Sequence, residues 1–188
     1  ALIASTARAA PDSGEPVMAA DFTGTTATGE TISLSDFAGQ TVILEWTNDG
    51  CPFVKKHYAE PPENMQTLQT EDAAPDDIVW LQIISSAPGK QGHVSGAEAD
   101  AINEGRGAAP DHVILDPSGD IGRLYDAKTT PHMFVIKADQ QVAYAGAIDS
   151  IRSARVEDIA TADNYVRAAL DSVAAGEPVE VATSTPYG

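Results

Sequence analysis

Thr41-Val42-Ile43-Leu44-Glu45-Trp46-Thr47-Asn48-Asp49-Gly50-Cys51-Pro52-Phe53-Val54 joins a nearly continuous apolar run to the only cysteine of the sequence. The run from Thr41 to Trp46 has the branched and aromatic content of a strand buried on both faces. Asn48 and Asp49 are turn and cap residues, and Pro52 suits the first turn of a helix, where a missing N–H costs nothing. A cysteine at such a junction faces unpaired N–H groups and the positive end of a helix dipole, which favours the thiolate. Cys51 is therefore the candidate nucleophile; the plainer reading is a small buried hydrophobe. Glu45 interrupts the strand, and buried carboxylates are rare, so it reads either as a proton relay beneath Cys51 or as an edge residue reaching water.

Outward from this stretch, Phe22 to Leu34 around Ala27-Thr28-Gly29-Glu30 reads as a β-hairpin ahead of the core sheet. Downstream, the helix opened by Pro52 meets Pro61-Pro62 and must stop and restart near Glu63. Ile78 to Ile84 reads as a second core strand, Ser85 to Val94 as a glycine-bearing loop, and Ala97 to Glu104 as a short helix. His112 to Leu115 forms a further strand, and Ile121 to Tyr125 a helical turn leading to Thr130-Pro131. Met133 to Ile136 and Gln141 to Gly146 make a second hairpin. The last helix is expected over Val156 to Ala175, with Ile159, Ala162, Tyr165, Val166, Leu170 and Val173 on its apolar face. Trp46 and Trp80 read as core, and Lys55 and Lys56 as a solvated helix face.

At 188 residues with 43% hydrophobic content the chain supports one core. A formal net charge of −17 makes this an acidic protein and repels phosphate backbones and anionic membranes, so no nucleic-acid partner and no membrane insertion are expected. The single Cys and the scattered His57, His93, His112 and His132 lack ligand spacing, so neither a metal site nor a cofactor is expected. Ala7-Arg8-Ala9, in an alanine-rich start, has the form of a signal-peptidase site and points to a periplasmic or otherwise exported protein. The expected organisation is residues 1–15 as a disordered or signal-peptide remnant, 16–176 as the domain, and 177–188 as a tail.

With these residues laid out, the chain resembles the thioredoxin superfamily: apolar strand, polar turn, then Cys-Pro opening a helix. Thr129-Thr130-Pro131 before an apolar strand matches the family's cis-proline, and Glu45 matches the buried acid that thioredoxin keeps before its first cysteine. Phe22, the Gly29 turn and Leu34-Ser35-Asp36-Phe37-Ala38-Gly39 make it similar to redoxins of the peroxiredoxin-like, alkyl-hydroperoxide-reductase-related branch. The resemblance covers about Pro16 to the end. It implies an α/β thioredoxin fold, a mixed central sheet with helices on both faces and an N-terminal hairpin extension. It also implies catalysis by Cys51, Glu45, Thr130 and Pro131, with Asn48, Asp49, Pro52, Phe53 and His132 contacting substrate.

Two departures shape the expected chemistry. The family's second cysteine falls on Val54, so the motif is Cys-x-x-Val and forms no disulfide of its own. The peroxiredoxin pattern Pro-x-x-x-Thr-x-x-Cys aligns as Thr47, Cys51 and Val54, which also puts valine at the peroxidatic position. The resemblance therefore implies a single-cysteine redox protein that makes mixed disulfides with the thiol or disulfide of a partner protein or small thiol. The alternatives are an antioxidant thiol peroxidase acting through a Cys51 sulfenic acid and a redox-inactive peptide-binding adaptor. Relatives of this branch continue past Gly188 with a cysteine, so the resolving thiol is expected either on a flexible tail or on an outside reductant.

Overall fold

A computed structural model describes residues 16–73 and 75–188. The expected processing site at Ala7 to Ala9 lies outside them. Seven strands form one mixed sheet: β1 (Thr23–Thr26), β2 (Thr31–Ser33), β3 (Thr41–Trp46), β4 (Ile78–Ile84), β5 (His112–Leu115), β6 (His132–Ile136) and β7 (Val142–Gly146), in spatial order β2-β1-β5-β4-β3-β6-β7. Strands β3, β4 and β5 run parallel, whereas β6, β7 and β1 pair antiparallel with their neighbours. Every residue of β3 is buried, as its unbroken apolar run requires of a central strand. The N-terminal hairpin extends the core sheet directly, because β1 pairs with β5.

The helices are α1 (Pro52–Tyr58), α2 (Asn64–Thr67), α3 (Gly96–Gly105), α4 (Asp120–Leu124) and α5 (Tyr165–Ala175), with a π-helical turn over Leu68–Asp72. Alternation along β3 divides the core. Val42, Leu44 and Trp46 pack with Phe22, Ile121 and Tyr125 on the face covered by α4. Ile43 packs with Val54, Tyr58, Met65, Val166 and Leu170 on the face covered by α1, α2 and α5. Each such fully buried aliphatic side chain contributes roughly 1.5–3 kcal/mol relative to exposure. Trp46 and Trp80 are both core residues. Among the described residues no helix is long and apolar enough to cross a membrane.

Two local expectations are corrected. The last helix does not begin at Val156: a 3-10 turn covers Val156–Thr161, the chain straightens, and α5 starts after Asn164. Asn164 accounts for the break, since its Oδ1 accepts from Arg167 N at 3.0 Å and caps α5, while its backbone bridges Asp149. Ile159 and Ala162 therefore lie outside α5. Second, Lys55 is solvated but Lys56 is not: Lys56 is 1% exposed.

Candidate functional site

Cys51 is the residue that caps α1, with extended backbone angles and Pro52 as the first helical residue. The turn before it is tied down locally: Asn48 Oδ1 accepts from Gly50 N at 2.8 Å and Asn48 O accepts from Cys51 N at 3.0 Å. The loop between β4 and α3 braces the same turn, as Gln91 Nε2 donates to Gly50 O at 3.2 Å and Asn48 Nδ2 donates to Gln91 O at 3.4 Å. Gln91 was invisible in the sequence as a site residue; its one signal was a glycine-bearing loop too irregular to be a mere connection.

The thiol points at the loop before β6. Cys51 Sγ donates to Thr130 O at 3.1 Å, and the Thr130–Pro131 peptide bond is cis. β3 and β6 are direct neighbours, with Trp46 opposite His132, so the cysteine turn and the proline loop emerge at the same end of the sheet. A groove of about 280 Å³ continues from Thr130 past Lys128, Ser85 and Thr47. A larger hollow of about 300 Å³ lies between β1, β5 and α3, and Cys51 lines neither of the two.

The other expected site residues divide. Phe53 and Asn48 are half-buried around Cys51, whereas Pro52 and Asp49 are exposed. His132, implied by the resemblance to contact substrate, is buried. Its ring stacks on Phe134 at 4.7 Å and its Nδ1 accepts from Lys128 N at 3.2 Å. Phe134 belongs to the core layer on the sheet face opposite α1, so His132 is turned away from the thiol. Burial pushes its pKa down to about 4.

Glu45 is fully buried, yet no hydrogen bond joins its carboxylate to Cys51. Oε1 accepts from Tyr58 OH at 2.7 Å, and Oε2 accepts from Trp80 Nε1 at 2.8 Å and Gln69 Nε2 at 3.3 Å. Behind Tyr58 the donors run in series: Gln82 Nε2 donates to Tyr58 OH, Asn103 Nδ2 to Gln82 Oε1, and Arg106 to Asn103 Oδ1. A guanidinium thus points, through three side chains, at a buried carboxylate. Arg106 also stacks over the Tyr58 ring at 3.7 Å. Burial, with the Glu45 charge, raises the Tyr58 phenol well above its usual value. Gln82 stands beside Glu45 in the parallel register of β3 and β4, and polar residues interrupting two adjacent apolar strands were the sequence signal for this network.

A second buried polar cluster lies on the inner side of α1. Lys56 Nζ donates to Asp149 Oδ2 at 3.2 Å, to Ile151 O at 3.2 Å and to Tyr187 OH at 3.3 Å, which uses all three of its protons. His57 Nδ1 accepts from Asn64 Nδ2 at 2.9 Å, so its Nε2–H faces Tyr187 OH at 3.4 Å. Tyr187 OH in turn donates to Asp149. Burial pushes the His57 pKa down to about 4, so the imidazole is neutral and Lys56 alone pairs with Asp149. Among the described residues no three His, Cys, Asp or Glu side chains group as metal ligands.

The redoxin family profile matches residues 10–165 of the sequence. Among solved structures, an uncharacterised conserved protein of Geobacillus kaustophilus is similar at 23% identity and a TM-score of 0.71, over 90% of this chain and 85% of that one. The exposed lipoprotein thioredoxin of Streptococcus pneumoniae is similar at 25% identity and a TM-score of 0.51, over 76% and 96%. A secreted disulfide oxidoreductase of Mycobacterium tuberculosis is similar at 17% identity and a TM-score of 0.51, over 64% and 79%. At such identities the likeness is one of fold, and that fold is the thioredoxin fold. No curated protein matches the sequence.

Proposed function

Because this chain belongs to the redoxin family, we propose that it is a thiol–disulfide redox protein in which Cys51 alone forms the mixed disulfide. The observation that carries the reading is the Cys51 thiol at the start of α1, 3.1 Å from the backbone oxygen of Thr130. In the forward step the Cys51 proton leaves to solvent and the thiolate attacks one sulfur of a partner disulfide. That bond breaks, a bond from Cys51 to the attacked sulfur forms, and the other partner sulfur departs as thiolate. A second thiolate then attacks the mixed disulfide. It comes from elsewhere than the 188 residues, since Cys51 is their single cysteine. Val54 at the family's second-cysteine position removes the usual internal resolution, so the mixed disulfide persists until that thiol arrives.

Thr130 and Pro131 shape the surface on which a partner backbone lies, and Phe53 and Asn48 border it. The Glu45 carboxylate accepts from three donors, none of them Cys51, which supports a role in holding α1 through Tyr58 and leaves proton release from Cys51 to solvent. The same reading places the protein outside the cytoplasm. Support comes from Ala7-Arg8-Ala9 and from fold neighbours described as an exposed lipoprotein and as a secreted oxidoreductase.

The test is to mix reduced protein with a short peptide disulfide and identify adducts by intact mass. Expected is one peptide-thiol adduct on Cys51, removed by added thiol and absent from Cys51→Ser. A Cys51 that stays unmodified while the protein still binds peptide would replace this reading with a binding-only role.

A further inference from the structure

Within the expected tail of residues 177–188, the segment 182–188 runs along the edge of β7 and ends against Phe53 and Thr130. Ala145 N donates to Ala182 O at 3.1 Å and Ser184 N donates to Ala145 O at 3.2 Å. Ser184 Oγ meets Tyr144 OH at 2.6 Å and accepts from Ala147 N at 2.9 Å. The crossing needs a glycine beneath it, because a Cβ on Gly146 would stand 2.4 Å from Ser184 Oγ. Tyr187 then turns inward until it is 2% exposed, its ring edge-on to Phe53 at 5.7 Å and its hydroxyl among Lys56, His57 and Asp149. The next residue, Gly188, lies against Thr130 so closely that a Cβ there would be 2.1 Å from Thr130 O. That oxygen is the one to which Cys51 donates.

We infer that Thr183 to Gly188 form an intramolecular strap over the reactive thiol, latched by the tyrosine pocket of Phe53, Lys56, His57 and Asp149. A partner polypeptide reaches Cys51 by displacing it. This rests on the thiol-exchange reading of Cys51. Two backbones cannot share the surface of Thr130, and a cysteine only 7% exposed offers a partner sulfur little surface to reach. The latch selects a ring that carries a hydroxyl. Without that oxygen Asp149 loses a donor, and Lys56 and His57 each lose an acceptor, all of them buried. The partner chemistry that competes best is therefore an extended segment with a tyrosine followed by a residue small enough for Thr130.

The test uses the full chain and the variants Gly188→Ala and Tyr187→Ala, with reaction of Cys51 timed against a bulky aromatic disulfide. Both variants should react about tenfold faster or more, as expected when local opening limits access. An acetylated Thr-Ser-Thr-Pro-Tyr-Gly peptide should slow Tyr187→Ala again, and the same peptide with Phe for Tyr should not. Should Tyr187→Ala fail to fold, Gly188→Ala decides, because it deletes no side chain of the buried cluster. Folded variants reacting within about twofold of the parent would overturn the strap. Absence of mixed disulfide in every form, strap open or closed, would instead overturn the thiol-exchange reading.

Discussion

Lys56 and Asp149 form an ion pair 3.2 Å apart with almost no side-chain exposure, 93 positions apart in sequence. Removing one member of such a pair strands the other charge. Lys56→Met should cost about 3–5 kcal/mol, measured by urea unfolding, and adding Asp149→Asn should restore part of that loss. Additive losses in the double variant would show that the pair is not coupled.

Glu45→Gln separates an anchor from a proton relay. Replacing the carboxylate that accepts from Tyr58, Trp80 and Gln69 should lower stability by about 1–3 kcal/mol. The pH dependence of Cys51 alkylation should stay where it is. A displaced pH midpoint for alkylation, with stability intact, would reinstate the relay.

Acid should destabilise the fold through its two buried histidines. Burial holds both His57 and His132 at about 4 in the folded protein, below the unfolded value near 6.5. Between these values the unfolded chain binds the proton first. Stability is therefore fully present above pH about 6.5 and declines as pH falls towards 4, by at most about 1.4 kcal/mol per pH unit for each histidine. His132→Gln should halve the slope of Tm against pH in that window; an unchanged slope would assign the effect to other groups.

Thr47 is 3% exposed and its hydroxyl has no hydrogen-bond partner among the described residues. Thr47→Val keeps the shape and removes the unpaired group, so Tm should hold or rise, by up to about 1 kcal/mol of stability. A fall in Tm would mean that a buried water satisfies the hydroxyl.

The strands were legible because their signal is local. The unbroken run of β3 and the turn residues before Cys51 state their own conformation, and the Cys-Pro junction and Thr130-Pro131 could be matched from sequence alone. Lys56 was not legible. A cation next to another cation on a short helix reads as surface, and nothing near it announces Asp149. Tyr187 was hidden for the same reason: Thr-Ser-Thr-Pro is loop composition, and the pocket that fixes the tyrosine is assembled from α1 and the segment after β7. His132 failed by alternation, since one position along β6 decides which face of the sheet a side chain meets.

The two ends of the described chain also bear on how this sheet meets other molecules. Strand β7 is an outer strand, yet its free side is lined twice: Val142 N donates to Val17 O and Met18 bridges Gln141, while Thr183 bridges Ala145. An apolar edge such as Val142 to Gly146, left bare, is a template for pairing with a second chain and for aggregation. Capped by two irregular segments, it offers few backbone groups to a neighbour. The segment proposed to guard the thiol thus also covers backbone groups on the β7 edge of the sheet, and a partner that peels it away would uncover that edge beside the bond it has come to exchange.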